Sequence, residues 1–128
     1  MPNLYNTLKE VTNLGVLSSS LVNRSNQVGL SNRDDFYRFR VGDHSRFDLK
    51  LSQITKGANV DVELYALKRP WNQVVRQIGN LNFRKLSAAA RKVNLQWVNT
   101  SKQNRNRDEN IVGDLASGEY CIRVLQRV

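Results

Sequence analysis

Cysteine occurs once in the 128 residues, as Cys121, which excludes an intrachain disulfide and a cluster of thiolate metal ligands. Histidine also occurs once. His44 sits in Gly42-Asp43-His44-Ser45, a composition suited to a turn between strands. No nucleophile-elbow sequence accompanies it, so nothing supports a Ser-His-Asp triad, and no catalysis is expected. With no histidine near it in sequence, Cys121 lacks an activating base and reads as a small apolar residue or an unreactive thiol. No stretch approaches the roughly 20 apolar residues that span a bilayer. The first ten residues contain neither a basic leader nor an apolar run, so no secretory signal is seen and a cytoplasmic location is expected. Apolar residues at 40% and charged residues at 24% place the chain with folded proteins rather than disordered ones. The length suits one domain with one core.

The most telling scarcity is of negative charge. From Leu64 to Arg107 there is no Asp or Glu, while Lys68, Arg69, Arg76, Arg84, Lys85, Arg91, Lys92, Lys102, Arg105 and Arg107 supply ten of the chain's 20 basic residues. All 11 acidic residues lie elsewhere, against the other ten basic ones, so one contiguous segment carries the whole net charge of +9. Such asymmetry implies a surface for an acidic partner, whether protein, nucleic acid or membrane.

What the chain does contain is alternation. Asp34 to Val41, Arg46 to Leu51, Asn59 to Tyr65 and Leu115 to Val124 each alternate apolar and polar residues, the pattern of strands with one buried and one wet face. In the last of these, Tyr120, Ile122 and Val124 face one way and Cys121 and Arg123 the other. Leu14 to Leu17 is a further short β-prone run, Asn23 to Asn26 a turn, and Gln27 to Leu30 a brief strand. The turn at Gly42 to Ser45 permits a hairpin between the strands on either side of it. A strand every ten or so residues is the rhythm of an all-β, antiparallel β-sandwich. Residues 1–12 read as a polar lead-in, loosely held unless something docks on Leu4, Tyr5 and Leu8.

Pro70 breaks the rhythm. Gln73 to Ile78 reads as another strand. From Leu81 to Val93, Phe83, Leu86, Ala90 and Val93 fall on one side of a helix, and Arg84, Lys85, Arg91 and Lys92 on the other. A short amphipathic helix is expected there. Alternation returns at Val93 to Trp97, which assigns Trp97 to the core.

In this order and spacing the motifs resemble the bacterial pre-peptidase C-terminal domains, small jelly-roll-like β-sandwiches usually appended to exported proteins and also found in many cyanobacterial proteins. Asp35, Tyr37 and Phe39 match the family's Asp-x-Tyr-x-Phe strand. Phe47-x-Leu49-x-Leu51 and Val60-Asp61-Val62-Glu63-Leu64-Tyr65 match its apolar strand pair, and Leu115, Gly118, Tyr120, Ile122 and Val124 match its closing strand. The resemblance covers residues 13–126 and departs in one place: about twenty additional residues, roughly 76–99, interrupt it as a basic insertion. A free-standing copy with such an elaboration looks like a non-catalytic assembly subunit of a multiprotein complex.

Some relatives bind calcium near the start of the sandwich, where Asn32, Asp34, Asp35 and Asp43 offer oxygens. Their spacing is unlike an EF-hand and Arg33 interrupts them, so Asp35 reads as serving the strand-entry turn and no cofactor is expected. The expected partner contacts are Lys68, Arg69, Trp71, Arg84, Lys85, Arg91, Lys92, Arg105 and Arg107. Trp71 has two readings, an interface anchor beside Lys68-Arg69-Pro70 or a plug for one end of the sandwich. The helix cations likewise suit a docking face or a solvated one. An acidic protein ranks ahead of nucleic acid, because no nucleic-acid motif is present, and a membrane ranks third, because the helix carries Ala where a membrane would select larger apolar residues. An exported module that binds carbohydrate or matrix would instead show exposed aromatics on a sandwich face.

Overall fold

The computed structural model describes residues 7–8, 11–17, 34–51, 60–101 and 109–126. The expected turn at 23–26, the expected strand at 27–30, Asn32, Arg105 and Arg107 lie outside them. Seven strands and two helices are described: β1 (Thr12–Val16), β2 (Asp34–Val41), β3 (Ser45–Leu51), β4 (Val60–Leu67), α1 (Trp71–Ile78), α2 (Ala88–Asn94), β5 (Leu95–Ser101), β6 (Glu109–Leu115) and β7 (Gly118–Gln126). A 3₁₀ turn at Phe83–Lys85 separates the helices.

The strands form a five-stranded sheet in the order β1-β2-β7-β4-β5 and a two-stranded sheet of β3 with β6. Every pairing is antiparallel except β1 with β2, which run parallel. The expected β-sandwich is therefore present, with one parallel pair at its edge. The turn after β2 does not close a hairpin. Val41 pairs with Gly118 in the larger sheet, whereas Ser45 pairs with Leu115 in the smaller one, so Gly42 to His44 carry the chain across the sandwich. The reason is the burial pattern: Phe39 and Phe47 stack across the gap at 5.2 Å with their planes 4° apart, and Tyr120 stacks on Phe39 at 5.4 Å. Facing aromatics bury more area between two sheets than side by side in one. Val62, Leu64, Ile111, Leu115, Ile122 and Val124 complete this core.

The segment after Pro70 contains a second core. Gln73 to Ile78 belongs to a helix, not the expected strand. Trp71, Val74 and Ile78 recur at helical spacing, and Val74 and Ile78 are buried against the outer face of the five-stranded sheet. Pro70 sits at the N-cap, where its missing N–H costs nothing. The helix ends where Gly79 approaches Val75 so closely that an added Cβ would lie 2.5 Å from the Val75 carbonyl oxygen. The expected helix from Leu81 to Val93 is divided. Asn82 Oδ1 accepts a hydrogen bond from the Arg84 N–H and so caps the 3₁₀ turn, and Ser87 Oγ accepts one from the Ala90 N–H and so starts α2. Phe83 and Ala90 face the sheet as expected; Val93 does not, and is 45% exposed.

Phe83 is fully buried among Phe36, Tyr65, Val74, Ile78, Leu95 and Cys121. Leu8 is also fully buried there, so the lead-in docks on this layer through Leu8. The result is three layers: helices, the five-stranded sheet and the small sheet.

Candidate partner-binding surface

Alternation along β2, β4 and β7 sends Asp34, Phe36 and Arg38, then Glu63 and Tyr65, then Cys121 and Arg123 to the helix side of the sheet. Arg123 is 4% exposed yet charged, and its neighbours explain how. Its Nη1 donates to Glu63 Oε1 at 2.9 Å and its Nη2 to the Asp34 carboxylate at 3.2 Å. Burial alone would pull the Arg123 pKa down; the charges of Asp34 and Glu63 outweigh it and hold the pKa above its ordinary value. Glu63 Oε1 also accepts the Tyr65 hydroxyl at 2.7 Å. Burial first, and that bond second, raise the Tyr65 pKa.

The helical segment closes over these charges and adds its own. Arg84 reaches Asp34 at 3.0 Å. The Arg91 guanidinium lies 4.5 Å from the Phe83 ring centroid and donates to the Phe83 carbonyl at 2.8 Å, while Arg123 lies 4.7 Å from the same ring. Phe83 thus meets two cations as well as the rings of Phe36 and Tyr65.

The nine expected contact residues consequently part company. Arg84 and Arg91 are half-buried and engaged with Asp34 and Phe83. Trp71 is half-buried, packs on the helix-side core and carries the Arg38 guanidinium 5.0 Å from its ring centroid, so it seals the helix layer rather than an end of the sandwich. Lys68 is exposed, and its Nζ donates to the Lys92 carbonyl at 2.7 Å, completing the C-terminal turn of α2. Lys85 and Lys92 are exposed, as is Arg76, and Arg69 is half-buried. The range 76–99 is not one element: it takes in the end of α1, the 3₁₀ turn, α2 and the start of β5.

Trp97, expected in the core, is 60% exposed on the edge strand β5, with its indole N–H donating to Thr100 Oγ1. A register shift between Leu64 and Tyr65 pairs Leu64 with Asn99 and Tyr65 with Trp97, and α2 covers Leu95 but not Trp97. Cys121 lies on the face opposite Tyr120, as expected, and burial pushes its thiol up to about 12. Asp34 and Asp35 point to opposite faces of β2, one to Arg84 and Arg123 and the other to the Tyr37 hydroxyl, and Asp43 is exposed in the turn. Among the described residues no group of three or more His, Cys, Asp or Glu gathers as a metal site.

The ion network itself was not foreseen. Its sequence signal is an arginine on the inward face of an otherwise apolar closing strand, with carboxylates at Asp34 and Glu63 on the two strands that flank it.

No protein-family model matches the chain, and no curated protein matches it. Among solved structures it is similar to the crystal structure of the pre-peptidase C-terminal domain of collagenase from Bacillus anthracis, at 14% identity, covering 93% of this chain and 85% of that one with a TM-score of 0.51. The two share the fold of that domain.

Proposed function

We propose that the chain is a non-catalytic binding module whose basic helical layer docks on an acidic protein within a larger multiprotein complex. One observation carries this reading. The helical segment divides its cations, with Arg84 and Arg91 turned inward to hold the layer, and Lys85, Lys92 and Arg76 turned outward on a stretch with no acid. A rigid layer that presents unneutralised charge steers and orients an oppositely charged partner. Asp34 and Glu63 are committed to ion pairs with Arg123, and the one thiol is held protonated, neither of which suits acid-base or nucleophilic work. On the family resemblance, residues 76–99 of this layer are a basic insertion, and a bacterial assembly subunit of cyanobacterial type, acting in the cytoplasm, is the setting we propose for it. Lys102, Arg105 and Arg107 extend the same charge along the sequence.

The test is affinity capture from native lysate, with and without nuclease, using wild type beside Lys85→Glu/Lys92→Glu. Retention of one acidic complex by wild type after nuclease, and its loss in the variant, is expected. Recovery that disappears with nuclease would make the partner a nucleic acid. A second reading follows Trp97: an exposed aromatic on a sheet edge suits a carbohydrate or matrix surface, and retention on insoluble polysaccharide abolished by Trp97→Ala would support it.

A further inference from the structure

At the end of the larger sheet, β1, β2 and the connection from β4 to α1 border two adjoining hollows, open to solvent, of about 200 and 370 Å3 that share Arg40, Leu67 and Glu119. Arg38 lines the first, and Lys68 and Arg69 line the second. Four basic residues therefore line the two hollows of this cleft beside one carboxylate, with the Lys68 ammonium already bonded to the Lys92 carbonyl. Among the described residues Glu119 pairs with Arg40 alone, at 3.1 Å. Arg69 takes no part in the ion pairs among the described residues. Arg38 is held over Trp71, and its buried Nε has no hydrogen-bond partner among them.

We infer that this cleft receives an acidic side chain, Asp or Glu, from an extended peptide segment of the partner. The inference rests on the acidic-partner reading and locates its anchor away from the exposed face of α2. Three features select a carboxylate. The excess charge is positive and only partly neutralised, and guanidinium groups bind carboxylates through paired, planar hydrogen bonds. The first hollow has the volume of about seven waters at ~30 Å3 each, enough for a carboxylate on its methylene stem. Val16, Leu67 and Pro70 supply apolar wall for that stem. Bases of a nucleic acid would need an open aromatic face, and none is offered here. Arg38 lies over Trp71, and Trp97 is on β5, at the opposite edge of the sheet from β1.

The experiment is an amide and arginine side-chain NMR titration of the intact chain with hexaglutamate, repeated with a neutral serine peptide and with oligothymidylate of equal charge. Hexaglutamate should shift Arg38, Arg40, Gly15 and residues 67–69. Arg69→Ala should weaken it by about tenfold, whereas Arg46→Ala, which removes one exposed cation from β3, should change it by less than about twofold. Glu119→Gln should strengthen binding by about threefold, because it releases Arg40. A footprint on Lys85 and Lys92, with Arg69→Ala neutral, would overturn the cleft and leave the acidic-partner reading in place. Binding of oligothymidylate alone, or of neither polymer, would overturn both.

Discussion

Arg123 on β7 and Asp34 on β2, 89 residues apart in the chain, meet at 3.2 Å beneath the helical layer, where neither reaches solvent to any extent. The pair is not isolated. Arg84 approaches Asp34 from above and Glu63 approaches Arg123 from the neighbouring strand, so the sheet and the helical segment share one network of charges. Truncating one partner of such a buried pair leaves the other desolvated and uncompensated. Arg123→Met should cost about 3–5 kcal/mol in urea unfolding. Asp34→Asn combined with it should cost less than the sum of the two by about 1 kcal/mol or more, since the sites are coupled.

Phe83 and Trp97 exchange the roles that size alone would give them. Phe83→Ala empties the centre of the helix-side core and removes the ring that Arg91 and Arg123 stack on, for an expected loss of about 3–5 kcal/mol. Trp97→Ala removes a larger side chain that is mostly in water, and should cost under about 1 kcal/mol. Thermal unfolding of the two variants side by side checks the order.

Stability should fall at alkaline pH through Cys121. Its thiol ionises near 9.0 when free and only at about 12 in the fold, so the unfolded chain loses that proton first. The contribution is complete below pH 9.0 and is lost as pH rises toward 12. Between pH 8 and 10 the drop should be about 1 kcal/mol, and Cys121→Ala, although less stable throughout, should flatten it. Urea midpoints at pH 8, 9 and 10 provide the measurement. Tyr65 and Tyr120, both raised by burial, extend the same trend at higher pH.

Charge reversal should separate the cations that hold the layer from those that decorate it. Arg84→Glu sets a carboxylate against Asp34, and should cost about 2–4 kcal/mol. Lys85→Glu/Lys92→Glu alters two exposed side chains and should leave unfolding within about 0.5 kcal/mol of wild type. A variant reversing all four of Arg84, Lys85, Arg91 and Lys92 would confound binding with folding.

The sandwich was legible because period-two alternation records which face of a strand is buried, and the residues so assigned, Phe39, Phe47, Leu64, Tyr120 and Ile122, form the core between the sheets. The helical layer was less so. Val74, Val75 and Ile78 are β-branched, and their strand-like chemistry masked the helical spacing of Trp71, Val74 and Ile78 that Pro70 makes possible. The hairpin expected at Gly42 failed because turn composition does not say whether the next strand pairs in the same sheet or crosses to the facing one. For the site, the excess of positive charge was visible as a total. Its division into inward and outward cations depends on Asp34, Phe83 and Arg123 meeting from three elements, and no local pattern carries that.

The most direct test of the acidic-partner account is zero-length carbodiimide cross-linking of the captured complex after nuclease, because the reagent joins a lysine only to a carboxylate it touches. The account predicts amide links from Lys85 and Lys92 to acidic residues of a partner protein. Links confined to Lys50 on the small sheet, with Lys85 and Lys92 unmodified by any partner, would contradict it.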